Sequence, residues 1–268
     1  MTTPDDPLHP ALVADVTTVS PSLRRIRFEM PAGTGFTAAG QPDERVLIDF
    51  PGLDHRRSYT VRGWVPHRRL LDVDFAVHAG GAAAAWARSA APGDAVRLSS
   101  ATGWWRPPPG ARELLLLADV SALPAAGRIV ESLGPGTSVR VVAEIPDAGD
   151  RQEWDTHADI AVTWLTSPGL LPSTLVDLPG LDSVEYLWSC GETSTSRRIR
   201  AHLRRTLGWA PERYHVMGYW QADREGWLAR YARVQDRIEA IAARELAAGR
   251  SADEVRDVID DALSEADL

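Results

Sequence analysis

Arg56-Arg57-Ser58-Tyr59-Thr60-Val61-Arg62 decides how the chain is read. Tyr, Thr and Val favour a strand. Along that strand an aromatic ring and a hydroxyl stand between guanidinium groups. A ring can stack, a hydroxyl can bond a heteroatom edge, and guanidinium forks pair bidentately with phosphate. The set suits a planar cofactor carrying phosphates, such as a flavin, although an ordinary barrel strand tolerates the same residues.

Outward from this stretch, residues 11–100 read as short strands separated by turns. Ala11–Val19, Leu23–Met30, Val46–Phe50, Ser58–Trp64, Leu71–His78 and Ala95–Leu98 are the predicted strands. In the second, Ile26, Phe28 and Met30 alternate with Arg25, Arg27 and Glu29, the period of a half-buried strand. Such spacing predicts a small closed barrel. Gly80-Gly81 opens a short helix over Ala82–Ala90, which either offers free N–H groups to a phosphate or plugs the barrel end.

Trp104-Trp105-Arg106-Pro107-Pro108-Pro109-Gly110 breaks the pattern and reads as a stiff linker. Beyond it strands and helices alternate. Glu113–Ala118, Ser138–Ile145, Ile160–Leu165, Val184–Ser189 and Tyr214–Tyr219 are predicted strands; Pro124–Leu133 and Ser196–Leu207 are predicted helices. Continuous apolar runs such as Leu114–Leu117 suit parallel strands covered on both faces. From Asp223, apolar residues at three- and four-residue spacing predict one amphipathic helix ended by Gly249. Ser251 and Glu254 then form a capping box for a second. The fold expected is therefore a β-barrel over residues 1–107, an open α/β sheet over 108–222 and a helical extension over 223–268.

The net charge of −8 argues against a general nucleic-acid binder, which needs a clustered basic surface. There is no lysine, so all 29 basic residues are arginine and Schiff-base chemistry on lysine is excluded. A single cysteine excludes an internal disulfide and a Cys-cluster metal site, and no metal-spaced His group is present. With no secretory signal and no apolar run of about 20 residues, a cytoplasmic protein without membrane insertion is expected. Residues 251–268 hold seven acids against one arginine. They read as a solvated helix face or as a docking surface for a basic partner.

The motifs taken in order resemble the siderophore-interacting proteins, NAD(P)H-dependent ferric siderophore reductases of the ferredoxin-reductase superfamily. They are Arg57-Ser58-Tyr59-Thr60-Val61-Arg62, Asp74–His78 with Trp86-Ala87, Pro92-Gly93-Asp94, Leu116–Ala125, Gly191-Glu192 and Gly218-Tyr219-Trp220. The resemblance implies that Arg57, Tyr59, Thr60 and Arg62 hold FAD, with Tyr59 along the ring, Thr60 at a flavin edge and the arginines at the pyrophosphate. It adds His78, Gly80, Gly81, Ala84 and Thr102 to the flavin side. Asp119 and Ser121 become the catalytic pair, and Ser121 is also placed to cap the following helix. Cys190, Gly191, Glu192, Tyr219 and Trp220 fall to the nicotinamide side.

The resemblance implies a flavoenzyme that takes electrons from NADH, NADPH or a ferredoxin and reduces iron(III) in a siderophore. Arg24, Arg106, Arg197 and Arg198 are the arginines expected to meet an anionic siderophore. Glu144 and Asp147 favour NADH, because a carboxylate repels a 2′-phosphate. The chain departs from the family pattern at Gly80–Ala84, at Val120 and at Gln221, where a Gly-Pro pair, an acid and an arginine are usual. Two other classes remain: a flavin-dependent oxidoreductase of another pathway, and a non-catalytic flavin or siderophore binder, which the departures at Val120 and Gln221 would fit.

Overall fold

The computed structural model describes residues 7–77, 80–266 and Leu268. Six antiparallel strands close the barrel: β1 (Leu8–Ser20), β2 (Leu23–Glu29), β3 (Arg45–Asp49), β4 (Arg57–Val65), β5 (Leu70–Ala76) and β6 (Ala95–Ser99). They run in the order β1-β2-β5-β4-β3-β6. The alternation on β2 sorts its side chains as expected: Ile26 and Phe28 are fully buried. Arg25 and Arg27 point outward and pair bidentately across the ladder with Asp74 and Asp72. Helix α1 (Ala82–Ser89) closes one end, with Trp86 stacked over Phe28 and 4.8 Å from Phe50.

The second half is a parallel sheet of β7 (Glu113–Asp119), β8 (Ser138–Glu144), β9 (Asp159–Leu165), β10 (Tyr186–Glu192) and β11 (Tyr214–Trp220). Its order is β11-β10-β7-β8-β9. The chain winds outward from β7 in one direction through β8 and β9, then returns to β10 on the other side. The switch point thus lies between the carboxyl ends of β7 and β10, where open α/β sheets bind ligands. Helix α2 (Leu123–Ser132) covers the barrel-facing side; α3 (Leu171–Asp177) and α4 (Thr193–Ala201) cover the other.

Two helical expectations change. The short α3 is absent from the prediction: its start is capped from a distance, Glu144 on β8 accepting the N–H groups of Gly169, Leu170 and Leu171. The predicted single helix after Asp223 is two, α5 (Arg224–Tyr231) and α6 (Gln235–Ala247), before α7 (Ala252–Glu265). The turn at 232–234 lets Tyr231 and Val234 join Ile238, Ala262 and Leu263 in a small separate core. Through the turn the backbone bonds tighten, Arg233 N–H donating to the Arg230 carbonyl and Val234 N–H to that of Tyr231. No helix among the described residues is long and apolar enough to cross a membrane.

Candidate functional site

On β4 the predicted residues separate by face. Tyr59 and Val61 turn toward the barrel core, and the Tyr59 ring lies 4.3 Å from Phe75. Burial pushes the Tyr59 hydroxyl up to about 12, so it stays protonated and can donate. Thr60, 5% exposed, turns to the opposite, outer face. Its Oγ1 is enclosed without a hydrogen-bond partner, and so is that of Thr102. Buried hydroxyls are normally satisfied, so this pair fits a ligand edge that the polypeptide does not itself provide.

The guanidinium groups divide likewise. Arg57 folds back onto the carbonyls of His55 and Arg56 and pairs with no carboxylate among the described residues. Its neighbour Arg56 keeps a buried, unpartnered Nη1. Arg56 is thus a second guanidinium with an unused donor at this end of β4, outside the expected site residues. Arg62 is engaged elsewhere: it forms a bidentate pair with Glu131 of α2 at 2.6 and 2.9 Å, across the junction between barrel and sheet. Gly80 is exposed and Gly81 precedes α1 with φ of 78°. Ala84 is buried, whereas Gly80, Gly81 and Ala82 are the exposed part of this turn. His78 lies outside the described residues.

At the switch point Asp119 is a keystone. Its Oδ1 accepts from the Ser121 N–H and hydroxyl; its Oδ2 accepts from the Glu192 N–H at 2.8 Å and the Trp220 indole at 2.7 Å. One carboxylate thereby ties the ends of β7, β10 and β11 together. Burial raises its pKa, opposed by these four donors. Gly191 is required here, because a Cβ would stand 2.6 Å from Asp119 Oδ2. Ser121 does not cap α2, contrary to expectation: the helix starts after Ala122 with no side-chain cap. The Ser121 hydroxyl instead donates to the charged Asp119 carboxylate.

Cys190 is fully enclosed, and burial lifts its thiol well above the ordinary range; the Tyr219 hydroxyl bonds it. A thiol so held is a packing group and not a nucleophile at neutral pH. Glu192 caps α4 through the Thr195 N–H and also meets Gln221 and the Ala222 N–H. Trp220, 44% exposed, presents the largest apolar surface at this edge.

The four arginines proposed for substrate are spread over three parts of the chain: Arg24 on β2, Arg106 in the linker, and Arg197 and Arg198 on α4. Arg24 on β2 donates to the Arg88 carbonyl, and Arg106 is exposed in the linker. Arg197, buried, donates to the Leu268 carbonyl. Arg198 is exposed beside it and lines a cleft of about 580 Å³ between α4 and α7. The acids of α7 meet this chain's own arginines: Asp257, Asp260 and Asp261 pair with Arg204, Arg200 and Arg205. Glu144 and Asp147, read as ribose-facing, cap α3 and the turn at Ala148–Asp150 respectively.

Sequence reasoning missed the residues that fasten the halves. Asp43, 2% exposed, accepts the Trp104 and Trp105 N–H groups at 2.9 Å each and the Trp188 indole. Asp150 accepts from the Ser20 hydroxyl and the Ser22 N–H. Arg128 reaches from α2 to Glu44 and the Val61 carbonyl. No local motif marks such residues, since their partners lie 61 to 145 positions away.

This architecture, a closed six-stranded antiparallel barrel followed by a five-stranded parallel sheet with helices, is that of the ferredoxin-reductase-like proteins. Within them the chain belongs to the siderophore-interacting protein family, whose profile matches residues 111–223; the siderophore-interacting FAD-binding domain matches 51–104. The mycobactin import ATP-binding/permease protein IrtA of Mycolicibacterium smegmatis is 27% identical over 227 residues, covering 81% of this chain; the chain spans 26% of that protein. The NADPH-dependent ferric-chelate reductase of Escherichia coli is 27% identical over 238 residues, 78% of this chain and 91% of the relative. The crystal structure of a siderophore utilization protein from T. fusca superposes with a TM-score of 0.71 at 27% identity, covering 81% of this chain and 94% of that one.

Proposed function

We propose that the chain is an FAD-dependent oxidoreductase that reduces iron(III) held by a siderophore, with NADH, NADPH or a ferredoxin as electron donor. The observation that carries this reading is the pair of buried, unpartnered hydroxyls, Thr60 and Thr102, on the barrel face next to the switch point. The likeness to ferric-chelate and vibriobactin reductases supports the same activity. The residues placed to hold the cofactor are Thr60 and Thr102 at its heteroatom edge and Arg56 and Arg57 at its phosphates. Tyr59 would form one wall. When bound, the flavin would accept an electron pair and release electrons singly to the metal.

The polypeptide's own contribution is position and dryness. Asp119 fixes the three strand ends, so the Gly191 backbone and the Trp220 ring keep their places at the edge where a nicotinamide would approach. As a carboxylate with all four donors in place, Asp119 acts by holding rather than by proton transfer. The siderophore needs no protein ligand to iron: hard oxygen donors grip iron(III) far better than iron(II), so reduction itself loosens the metal. Arg198 and Arg106, both exposed, are the arginines left free to attract an anionic chelate. The choice between NADH and NADPH does not rest on Glu144, whose carboxylate is committed to the start of α3.

The test is anaerobic. Protein loaded with FAD, reduced photochemically and freed of reductant, should reoxidise on addition of a ferric siderophore, with an iron(II) trap reporting product in proportion to flavin electrons. Persistence of the reduced spectrum with several chemically distinct ferric siderophores, alongside rapid reoxidation by an organic acceptor, would reassign the chain to another flavin-dependent pathway.

A further inference from the structure

Arg45 opens β3 where the barrel meets the sheet. Across the ladder it is paired with Thr60 on β4 and, on its other side, with Thr102. Two backbone bonds of 2.8 and 3.0 Å join Arg45 to Thr102. Residues directly opposite on neighbouring antiparallel strands share a face, so the guanidinium and both hydroxyls leave the barrel on the same outer side. The next residue, Val46, is 1% exposed and points into the core, as the alternation requires.

What surrounds this guanidinium is unusual for the junction. It lies 4.0 Å over the Trp104 ring, and Nη1 donates to the Met217 thioether at 3.0 Å. A thioether is a weak acceptor. Among the described residues Arg45 has no carboxylate partner, whereas Arg62 and Arg128 at the same junction pair with Glu131 and Glu44. Asp43, two positions away, is already committed to Trp104, Trp105 and Trp188. One fixed positive charge therefore stands beside two buried hydroxyls without partners, among an aromatic ring and sulfur.

We infer that Arg45, with Thr60 and Thr102 at its sides, receives the acceptor-bearing edge of the bound flavin ring and sets its reduction potential; this rests on the flavin reading above. One cation and two hydroxyls match a ring edge of carbonyl and nitrogen acceptors. A pyrophosphate, with two negative charges, calls for more than one cation or a fan of backbone N–H groups. A ring that takes up two electrons and one proton gains one negative charge. In apolar surroundings a guanidinium stabilises that charge more than it would in water, while the neutral oxidised ring gains less. Arg45 is thus a determinant of driving force rather than of cofactor retention.

The experiment uses the full chain loaded with FAD and compares wild type, Arg45→Met and Arg45→Lys. It measures the FAD dissociation constant, the midpoint potential against reference dyes and the affinity for sulfite, whose adduct places a similar negative charge on the ring. Arg45→Met should hold oxidised FAD within about threefold of wild type. Its preference for the reduced over the oxidised cofactor should fall about 10- to 100-fold, equivalent to about 30–60 mV for a two-electron couple. Sulfite affinity should fall in parallel, and Arg45→Lys should restore most of both. Thr102→Val, which leaves the charge in place, should move the potential the same way by about threefold, and it serves if Arg45→Met does not fold. Equal potentials in wild type and Arg45→Met would overturn the inference, as would loss of oxidised FAD with no change in the potential of what remains, the signature of a phosphate ligand. Wild-type protein that takes up no FAD would sink the flavin reading itself.

Discussion

The sheet is fastened to its two neighbours by different physics. Toward the barrel, single buried carboxylates each gather several donors: Asp43 and Asp150 are 2% and 0% exposed and reach partners on both sides of the junction. Toward the C-terminal helices the link is a row of ion pairs, Arg200–Asp260, Arg204–Asp257 and Arg205–Asp261, around an open cleft. Those helices keep a small core of their own. Buried, multiply bonded carboxylates fix a geometry and are scarcely screened. Partly exposed pairs hold weakly and respond to salt. The precise junction is the one that carries the candidate site.

The harshest test removes a keystone. Asp119→Ala leaves the Ser121, Glu192 and Trp220 donors without their common acceptor and opens space beside Gly191, at an expected cost of about 3–5 kcal/mol. Urea melts should show it, and Gly191→Ala should fall in the same direction because its Cβ meets Asp119 Oδ2 at 2.6 Å. An Asp119→Ala melt within about 1 kcal/mol of wild type would erase the distinction between the two attachments.

Acid probes the same junction. His215, on β11, has its pKa pushed down to about 4, chiefly by burial, with Arg45, Arg256 and Arg200 lowering it further and Asp43 opposing them. The unfolded imidazole, with its ordinary pKa of about 6.5, binds its proton first. Its contribution is therefore complete above about pH 6.5 and is lost as pH falls toward 4, amounting to about 1–3 kcal/mol. Stability measured at pH 7.5 and pH 5 should differ accordingly, and His215→Gln should flatten that difference. A wild-type profile flat across this range would show that the ring is solvated.

How much of this was readable in advance divides along the same line. The β2 alternation of Ile26 and Phe28 with Arg25 and Arg27, and the apolar run of β7, announce their elements because each depends on local period. Thr60 was legible as a site residue from its place in the Arg57–Arg62 motif. Asp43 and Arg45 were not, since their meaning comes from Trp188 and Met217, across the domain junction. The missed α3 has the same origin: its cap is Glu144, 25 residues before the first N–H it accepts. The break at 232–234 was invisible because spacing alone cannot say which apolar residues will meet α7.

Salt should separate the attachments in the intact protein. Raising ionic strength from about 0.1 to 1 M shortens the screening length from about 10 to 3 Å. Amide exchange in α7 should then quicken while α2 stays protected. Replacing Asp257, Asp260 and Asp261 together by Asn should mimic the salt effect, costing about 0.3–1 kcal/mol per pair in local opening and little in global melting. Global unfolding that follows the triple variant step for step would make the helical extension part of the cooperative body.

The smallest expected effect on the fold is the most informative about the site. Thr60 Oγ1 is buried without a partner, so Thr60→Val exchanges an unsatisfied hydroxyl for a methyl of nearly the same shape. Protein without flavin should lose no stability, or gain up to about 1 kcal/mol, the reverse of what any keystone substitution does. FAD, if its heteroatom edge meets that hydroxyl, should bind about 5- to 10-fold more weakly, about 1–1.4 kcal/mol. Thermal melts with and without added FAD read both quantities in one series. Destabilised flavin-free protein with unchanged FAD affinity would mean that Thr60 is bonded within the polypeptide. It would then join Asp43 and Asp119 as a fastening of the junction instead of marking where a ligand enters it.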